Sequence, residues 1–65
     1  MTQARGGDAR PLALAVADAV ADMWGRACVQ PPDDQGRVVV VGLTEDVERE
    51  RFTVHPTGLV TEGRG

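Results

Sequence analysis

A chain of 65 residues with one cysteine, one histidine and a net charge of −3 has few ways to stabilise a small fold. One cysteine excludes an intramolecular disulfide, and Cys28 with His55 does not form the clustered ligand set of a structural zinc site. Because a domain of this size buries only about 60% of the surface of its unfolded chain, we expect a partner chain to supply further stability.

The basic residues argue against binding to nucleic acid. All seven are arginines and are scattered along the chain, whereas a phosphate backbone is bound by clustered Lys and Arg. Only Arg49 and Arg51 lie close together, and Glu48 and Glu50 flank them. We therefore predict no nucleic-acid partner.

The amino acids that are missing narrow the possible chemistry. The chain has no Lys, Ser, Tyr, Asn or Ile, a bias that points to a GC-rich bacterial genome. No lysine Schiff base, serine nucleophile or tyrosine acid can form, so we predict a protein that is not an enzyme and has no cofactor. The acidic residues Asp18 and Asp22 interrupt the longest apolar stretch, which argues against a membrane span or a secretory signal and predicts a cytoplasmic location.

The first predicted element is a helix. Residues 1–10 show no periodicity and are predicted to form a flexible arm, with Asp8 as a candidate cap. From Pro11 to Cys28, apolar residues recur at helical spacing over an arc of about 200°, wider than one sheet face usually covers. Cys28 would be a buried small side chain at the helix end, and Trp24, on the flank of the arc, is either core or an anchor for a partner.

A connector and a strand follow. Residues 29–36 contain two prolines and Asp33-Asp34, which we interpret as solvated turn residues. Residues 37–43 predict a strand that is apolar on both faces, because it contains four consecutive valines. Residues 44–47 predict a loop or one helical turn, with Thr44 as a possible N-cap.

The last part of the chain predicts a hairpin. In residues 49–55, Phe52 and Val54 fall on one strand face and Thr53 on the other, with Arg49 and Arg51. Residues 55–58 predict a turn in which Pro56 fixes one φ and Gly58 takes a positive φ, and residues 59–62 return as a short strand. His55 is interpreted as a solvated turn residue, and residues 63–65 as a frayed end.

This element order predicts an α+β fold, with one amphipathic N-terminal helix packed on a small three-stranded antiparallel sheet. The order is α-β-β-β, and residues 11–62 are predicted to form a single domain.

The valine strand creates a conflict in the simplest meander. There it would be an exposed edge, and a bare apolar edge is a template for pairing with another chain. Either the strand order places the valines between neighbours of the same chain, or they pair with a second polypeptide. Apolar residues on both faces favour the second alternative, so the predicted partner-binding residues are Trp24, Val38, Val39, Val40 and Val41.

The segment from Arg51 to Val60 resembles the closing hairpin of PepSY-type domains. The resemblance covers ten residues and implies a helix-plus-sheet module of the kind associated with peptidase inhibition or extracytoplasmic regulation. We transfer no functional residue from that family.

The function predicted from these residues is that of a small accessory or assembly protein acting through protein–protein interaction. Its partner would be itself, in a homodimer, or a larger subunit. The alternative is a regulatory module that binds a small ligand between helix and sheet.

Overall fold

The computed structural model describes residues 8–63, in which one helix packs on a four-stranded antiparallel sheet. The α+β class and the helix-on-sheet arrangement are as predicted, with one more strand. Residues 1–7, most of the predicted arm, and residues 64–65 lie outside the described part. The elements are α1 (Arg10–Trp24), β1 (Arg26–Val29), β2 (Val38–Thr44), β3 (Val47–Val54) and β4 (Val60–Glu62).

The helix begins where the sequence indicates. The Asp8 carboxylate accepts a hydrogen bond from the backbone N–H of Arg10 at 3.1 Å, so it satisfies one of the donors that helix geometry leaves free. Pro11 lies in the first turn, where a missing N–H costs nothing.

The helix ends four residues before the predicted end at Cys28. Gly25 adopts a left-handed conformation with φ 109°, and its N–H donates to the carbonyl of Ala21 at 2.7 Å. This is a glycine C-cap, and the left-handed conformation is unfavourable for residues that carry a side chain. The residues after Gly25 are therefore extended and form β1, a strand that the sequence analysis missed.

Strand β2 lies in the interior of the sheet, because the strand order is β1-β2-β3-β4. Val40 stands between Val29 of β1 and Phe52 of β3. The favoured alternative, in which the valine strand is an edge that pairs with a second polypeptide, is therefore wrong, since β1 supplies the neighbour that the predicted three-stranded sheet lacked. The first of the two alternatives holds.

The core lies between α1 and the inner half of the sheet. Ala13 and Val20 of α1 pack with Val38, Val40 and Val54, and each of these five side chains is at most 3% exposed. The helix packs on β1 and β2 to a similar extent, only slightly on β3, and not on β4. The sheet face opposite the helix has no second layer within the described residues.

The connection between β2 and β3 differs from the predicted loop or helical turn. Glu45 and Asp46 both have positive φ, at 53° and 67°, as in the two-residue turn that closes a tight hairpin. Thr44 does not cap a helix, and its hydroxyl instead donates to the carbonyl of Trp24 at 2.7 Å.

The two other turns follow their predicted chemistry. Gly58 has φ 98° and its N–H donates to the carbonyl of His55, which closes the hairpin of β3 and β4. In the connector, the Asp33 carboxylate accepts hydrogen bonds from the backbone N–H groups of Gln35 and Arg37, both at 2.9 Å.

Candidate interaction surface

Trp24 fastens the end of the helix to the sheet. Its indole Nε1–H donates a hydrogen bond to Oε1 of Glu50 at 3.1 Å. Its backbone carbonyl accepts a hydrogen bond from the hydroxyl of Thr44. The ring packs over Gly42, and the side chain is only partly buried. The structure therefore gives Trp24 a clear role within the fold, and part of its surface still faces solvent.

The four valines divide between the two sides of β2. Val38 and Val40 face the helix and are 1% and 0% exposed, so the protein's own helix and neighbouring strands enclose them. They are not accessible to a partner, which corrects their assignment as partner-binding residues. Val39 and Val41 point to the opposite sheet face, because successive side chains of a strand alternate.

That opposite face, which we call the open face, is apolar but partly screened. Val41 lies in register between Cys28 of β1 and Arg51 of β3, and it is 4% exposed. The guanidinium of Arg51 donates two hydrogen bonds to the carboxylate of Glu48, and this pairing raises the pKa of Arg51. An ion pair therefore lies beside the valines of the open face.

Cys28 does not lie at a helix end, as expected, but in edge strand β1. Its side chain is exposed and belongs to the open face, in register with Val41. The prediction that it is a small buried side chain is wrong for the same reason as the predicted helix end: Gly25 stops the helix before Cys28 is reached.

An apolar accessible surface lies where α1 passes beside β1. Leu14 is 63% exposed and Val29 is 39% exposed, and both line one groove of about 330 Å³. Residues around the groove come from the start of the helix, the end of β1, the proline connector and β2: Arg10, Leu14, Val29, Gln30, Pro31, Pro32 and Val38. We call the outer edge of β1, together with the helix flank that carries Leu14, the β1 wall.

The β1 wall was not predicted from the sequence. Leu14 was part of the predicted apolar arc, but Val29 was assigned to the connector. Their proximity depends on β1, which was interpreted as helix. Gly25 was the one signal in the sequence that could have revealed the strand.

The polar residues singled out in the sequence serve local structure. Asp33 organises the connector through its hydrogen bonds to Gln35 and Arg37, and His55 lies 3.3 Å from the hydroxyl of Thr61 on the neighbouring strand. Within residues 8–63, no three His, Cys, Asp or Glu side chains are grouped to hold a metal ion. The helix in this part of the chain is too short and too polar to cross a membrane.

Comparison of the chain with protein-family models, with curated proteins and with solved structures gave no match. The short resemblance of residues 51–60 to PepSY-type hairpins is thus unsupported by any family match.

Proposed function

We propose that this chain is a non-enzymatic accessory or assembly protein that acts by binding another polypeptide. The observation that carries the proposal is the β1 wall, where Leu14 and Val29 remain in solvent beside a strand edge with which no strand of residues 8–63 pairs. Apolar side chains that cluster next to a free strand edge are typical of surfaces that bind protein.

The small core supports the same proposal. The only large side chains that are fully buried within residues 8–63 are three valines, Val38, Val40 and Val54. Leu14 and Met23, which are larger, are 63% and 65% exposed. A chain that leaves larger apolar groups outside than inside gains stability when a partner covers them.

The charged groups support a structural rather than a catalytic use of the polar residues. Three pairs, Asp8 with Arg10, Asp33 with Arg37, and Glu48 with Arg51, are made between near neighbours in sequence. A fourth joins Arg26 of β1 to Asp46 of the β2–β3 turn. Each pair holds a turn, a helix start or a strand in place.

The first experiment measures mass in solution. Light scattering on the purified chain at low micromolar concentration should give a multiple of 6.9 kDa, or a monomer that forms a stoichiometric complex with a defined second chain. A strictly monomeric protein that forms neither would contradict the proposal. Gly63→Ala should leave the measured mass unchanged, since a Cβ there meets nothing within 4 Å.

The second candidate is a module that binds a small apolar ligand, and the groove on the β1 wall favours it. Its volume of about 330 Å³ is at the lower end of the range of ligand sites. A monomer whose melting temperature rises with an apolar fluorescent probe such as anilinonaphthalene sulfonate would favour this function. Leu14→Glu should then abolish the rise, because Leu14 lines the groove.

A further inference from the structure

We infer that the partner is a second copy of this chain, which pairs with β1 in antiparallel fashion about a twofold axis at Cys28. The two sheets would join into one continuous sheet of eight strands, with the two helices side by side on the same face. This inference rests on the proposed function and specifies its partner and its register.

The hydrogen-bonding direction of β1 follows from its pairing with β2. The N–H of Gln30 donates to the carbonyl of Val39 at 2.9 Å, so even-numbered residues of β1 use their backbone groups toward β2. By alternation, the N–H and C=O groups of Ala27 and Val29 point outward. Within residues 8–63, no strand pairs with this outer side.

Only one self-pairing register uses all of these outward groups. When Ala27 of one copy faces Val29 of the other, both residues donate and accept, which gives four hydrogen bonds across the axis. A register shifted toward the helix requires the N–H of Gly25, which is already bound to Ala21. A register shifted the other way meets Pro31, which has no N–H to donate.

The position of α1 fits this arrangement. The helix packs on β1 and β2 and not on β4, so it lies over the β1 side of the sheet. With strands about 4.8 Å apart, a helix axis midway between β1 and β2 would lie about 2.4 Å inside β1, and the twofold axis would lie about 2.4 Å outside it. The two helices are then roughly 10 Å apart, at the upper end of the distances at which packed helices touch.

The facing helix flanks carry suitable side chains. Leu14, Ala17 and Ala21 recur at three- and four-residue spacing on the side of α1 that faces the β1 edge, since Leu14 shares the groove with Val29. The twofold axis runs the two helices antiparallel, so Leu14 of one copy approaches the small residues of the other. The exposed leucine would thereby be covered.

The area of the β1 wall is close to the lower limit for a specific dimer. The β1 wall is as long as the 15-residue helix, about 22 Å, and two layers deep, about 20 Å, or roughly 450 Å². The smallest specific interfaces bury about 500 Å² from each partner. The wall therefore approaches what a dimer needs, provided that both the strand edge and the helix flank take part.

The opposite edge of the sheet is less suited. Strand β4 has only three residues and ends at the charged Glu62. Because α1 does not contact β4, pairing there would join the two sheets without bringing the helices together. These differences favour β1.

The register places the two cysteines face to face. Cys28 of each copy occupies a non-hydrogen-bonded position across the new strand pair, where Cα atoms lie about 4.5 Å apart. Disulfides span Cα distances of about 4.4–6.8 Å, so the two thiols are within bonding range. Cys28 thus reports this one register.

The first test compares two proline substitutions by light scattering. Ala27→Pro removes an outward N–H and leaves the bonds between β1 and β2 intact, and Val60→Pro makes the equivalent change at the outer side of β4. We expect Ala27→Pro to give a monomer of 6.9 kDa and Val60→Pro to remain dimeric. Leu14→Arg, at a position 63% exposed, is a second route to the monomer if Ala27→Pro fails to fold by circular dichroism.

The second test traps the register with the oxidant diamide, which takes up the two electrons and two protons that two thiols lose on forming a disulfide. The parent chain should be converted to a covalent dimer at low micromolar concentration. The matched control, Arg26→Cys in a Cys28→Ser background, should not be trapped. Its cysteines would lie about 13 Å apart in this register, beyond disulfide reach.

The outcomes separate this inference from the proposed function. A dimer that survives both Ala27→Pro and Leu14→Arg, or that the control cysteine traps as fast as Cys28, overturns β1 pairing and leaves the proposed function standing. A monomer that binds a different chain in defined stoichiometry also overturns β1 pairing and leaves the proposed function standing. A monomer with no polypeptide partner overturns both.

Discussion

Trp24 lies directly over Gly42, so that a Cβ atom on Gly42 would stand 2.7 Å from Cδ1 of the indole. The same Cβ would stand 2.7 Å from Cγ1 of Val20. The helix approaches the sheet this closely only because position 42 has no side chain. Gly42 therefore sets the distance between the two layers at the end of α1.

Gly42→Ala should destabilise the protein, because neither an indole ring nor a branched valine can move aside without cost. We expect a loss of about 1–3 kcal/mol in the free energy of unfolding, measured by urea denaturation. Gly63→Ala is the matched control, since nothing lies within 4 Å of its added Cβ. Equal stability of the two variants would mean that the helix does not sit this close to β2.

Glu50→Ala should cost about 1 kcal/mol, because it leaves the partly buried indole N–H of Trp24 without its acceptor. Glu50→Gln keeps an acceptor oxygen and should lose less than half of that amount. Thermal melting followed by the fluorescence of Trp24, the single tryptophan, measures both. If the two variants melt together, the hydrogen bond contributes nothing to stability.

The hairpin turn between β2 and β3 can be improved. Glu45 and Asp46 occupy left-handed conformations that glycine and asparagine tolerate better, at a cost of about 1 kcal/mol or more. The double substitution Glu45→Asn with Asp46→Gly should raise stability by about 1 kcal/mol, or about 4–8 °C in melting temperature. It removes the ion pair of Asp46 with Arg26, which is exposed and contributes little. A lower melting temperature would rule out this turn geometry.

Acid should destabilise the protein through Asp33 and Asp8. The pKa of Asp33 is lowered from its ordinary value of 3.8 chiefly by the hydrogen bond from the backbone N–H of Arg37. The pKa of Asp8 is lowered chiefly by the side-chain hydrogen bond from Arg10. A carboxyl group with a lowered folded pKa stabilises the fold above its unfolded pKa, and this contribution disappears as the pH falls through the folded value.

Unfolding measured by urea between pH 6 and about pH 2.5 checks this expectation. The free energy of unfolding should stay constant down to about pH 4.5 and should then decrease as the pH falls further. Asp33→Asn, which keeps a side-chain oxygen in the connector turn but cannot ionise, should reduce the slope. An unchanged slope would mean that the charge of Asp33 does not act in the folded state.

Several parts of the fold were predictable because their signals are local. Phe52 and Val54 alternate with polar neighbours, Pro56 fixes one φ of the turn, and Gly58 permits the positive φ that the turn requires. The helix start was equally clear from Asp8 and Pro11. In each case the deciding interaction lies within a few residues.

The missed features depend on contacts between distant residues. Ala27 and Cys28 continue the apolar periodicity of the helix, and only the pairing of β1 with β2 makes them a strand. The turn at Glu45 and Asp46 contains neither glycine nor asparagine, so its shape is imposed by the strands around it. The β1 wall, the candidate site, exists only because β1 forms, so it could not be predicted from the sequence.

The meander order of the sheet has a kinetic consequence. Every strand pairs with the strand next to it in the chain, so each hairpin closes a short loop and no long crossover must form first. The entropy lost in closing such loops is small, and the isolated chain should collapse rapidly to its native topology in a single phase. Substitutions that loosen the contact between helix and sheet would then act mainly by accelerating unfolding, which stopped-flow mixing can follow.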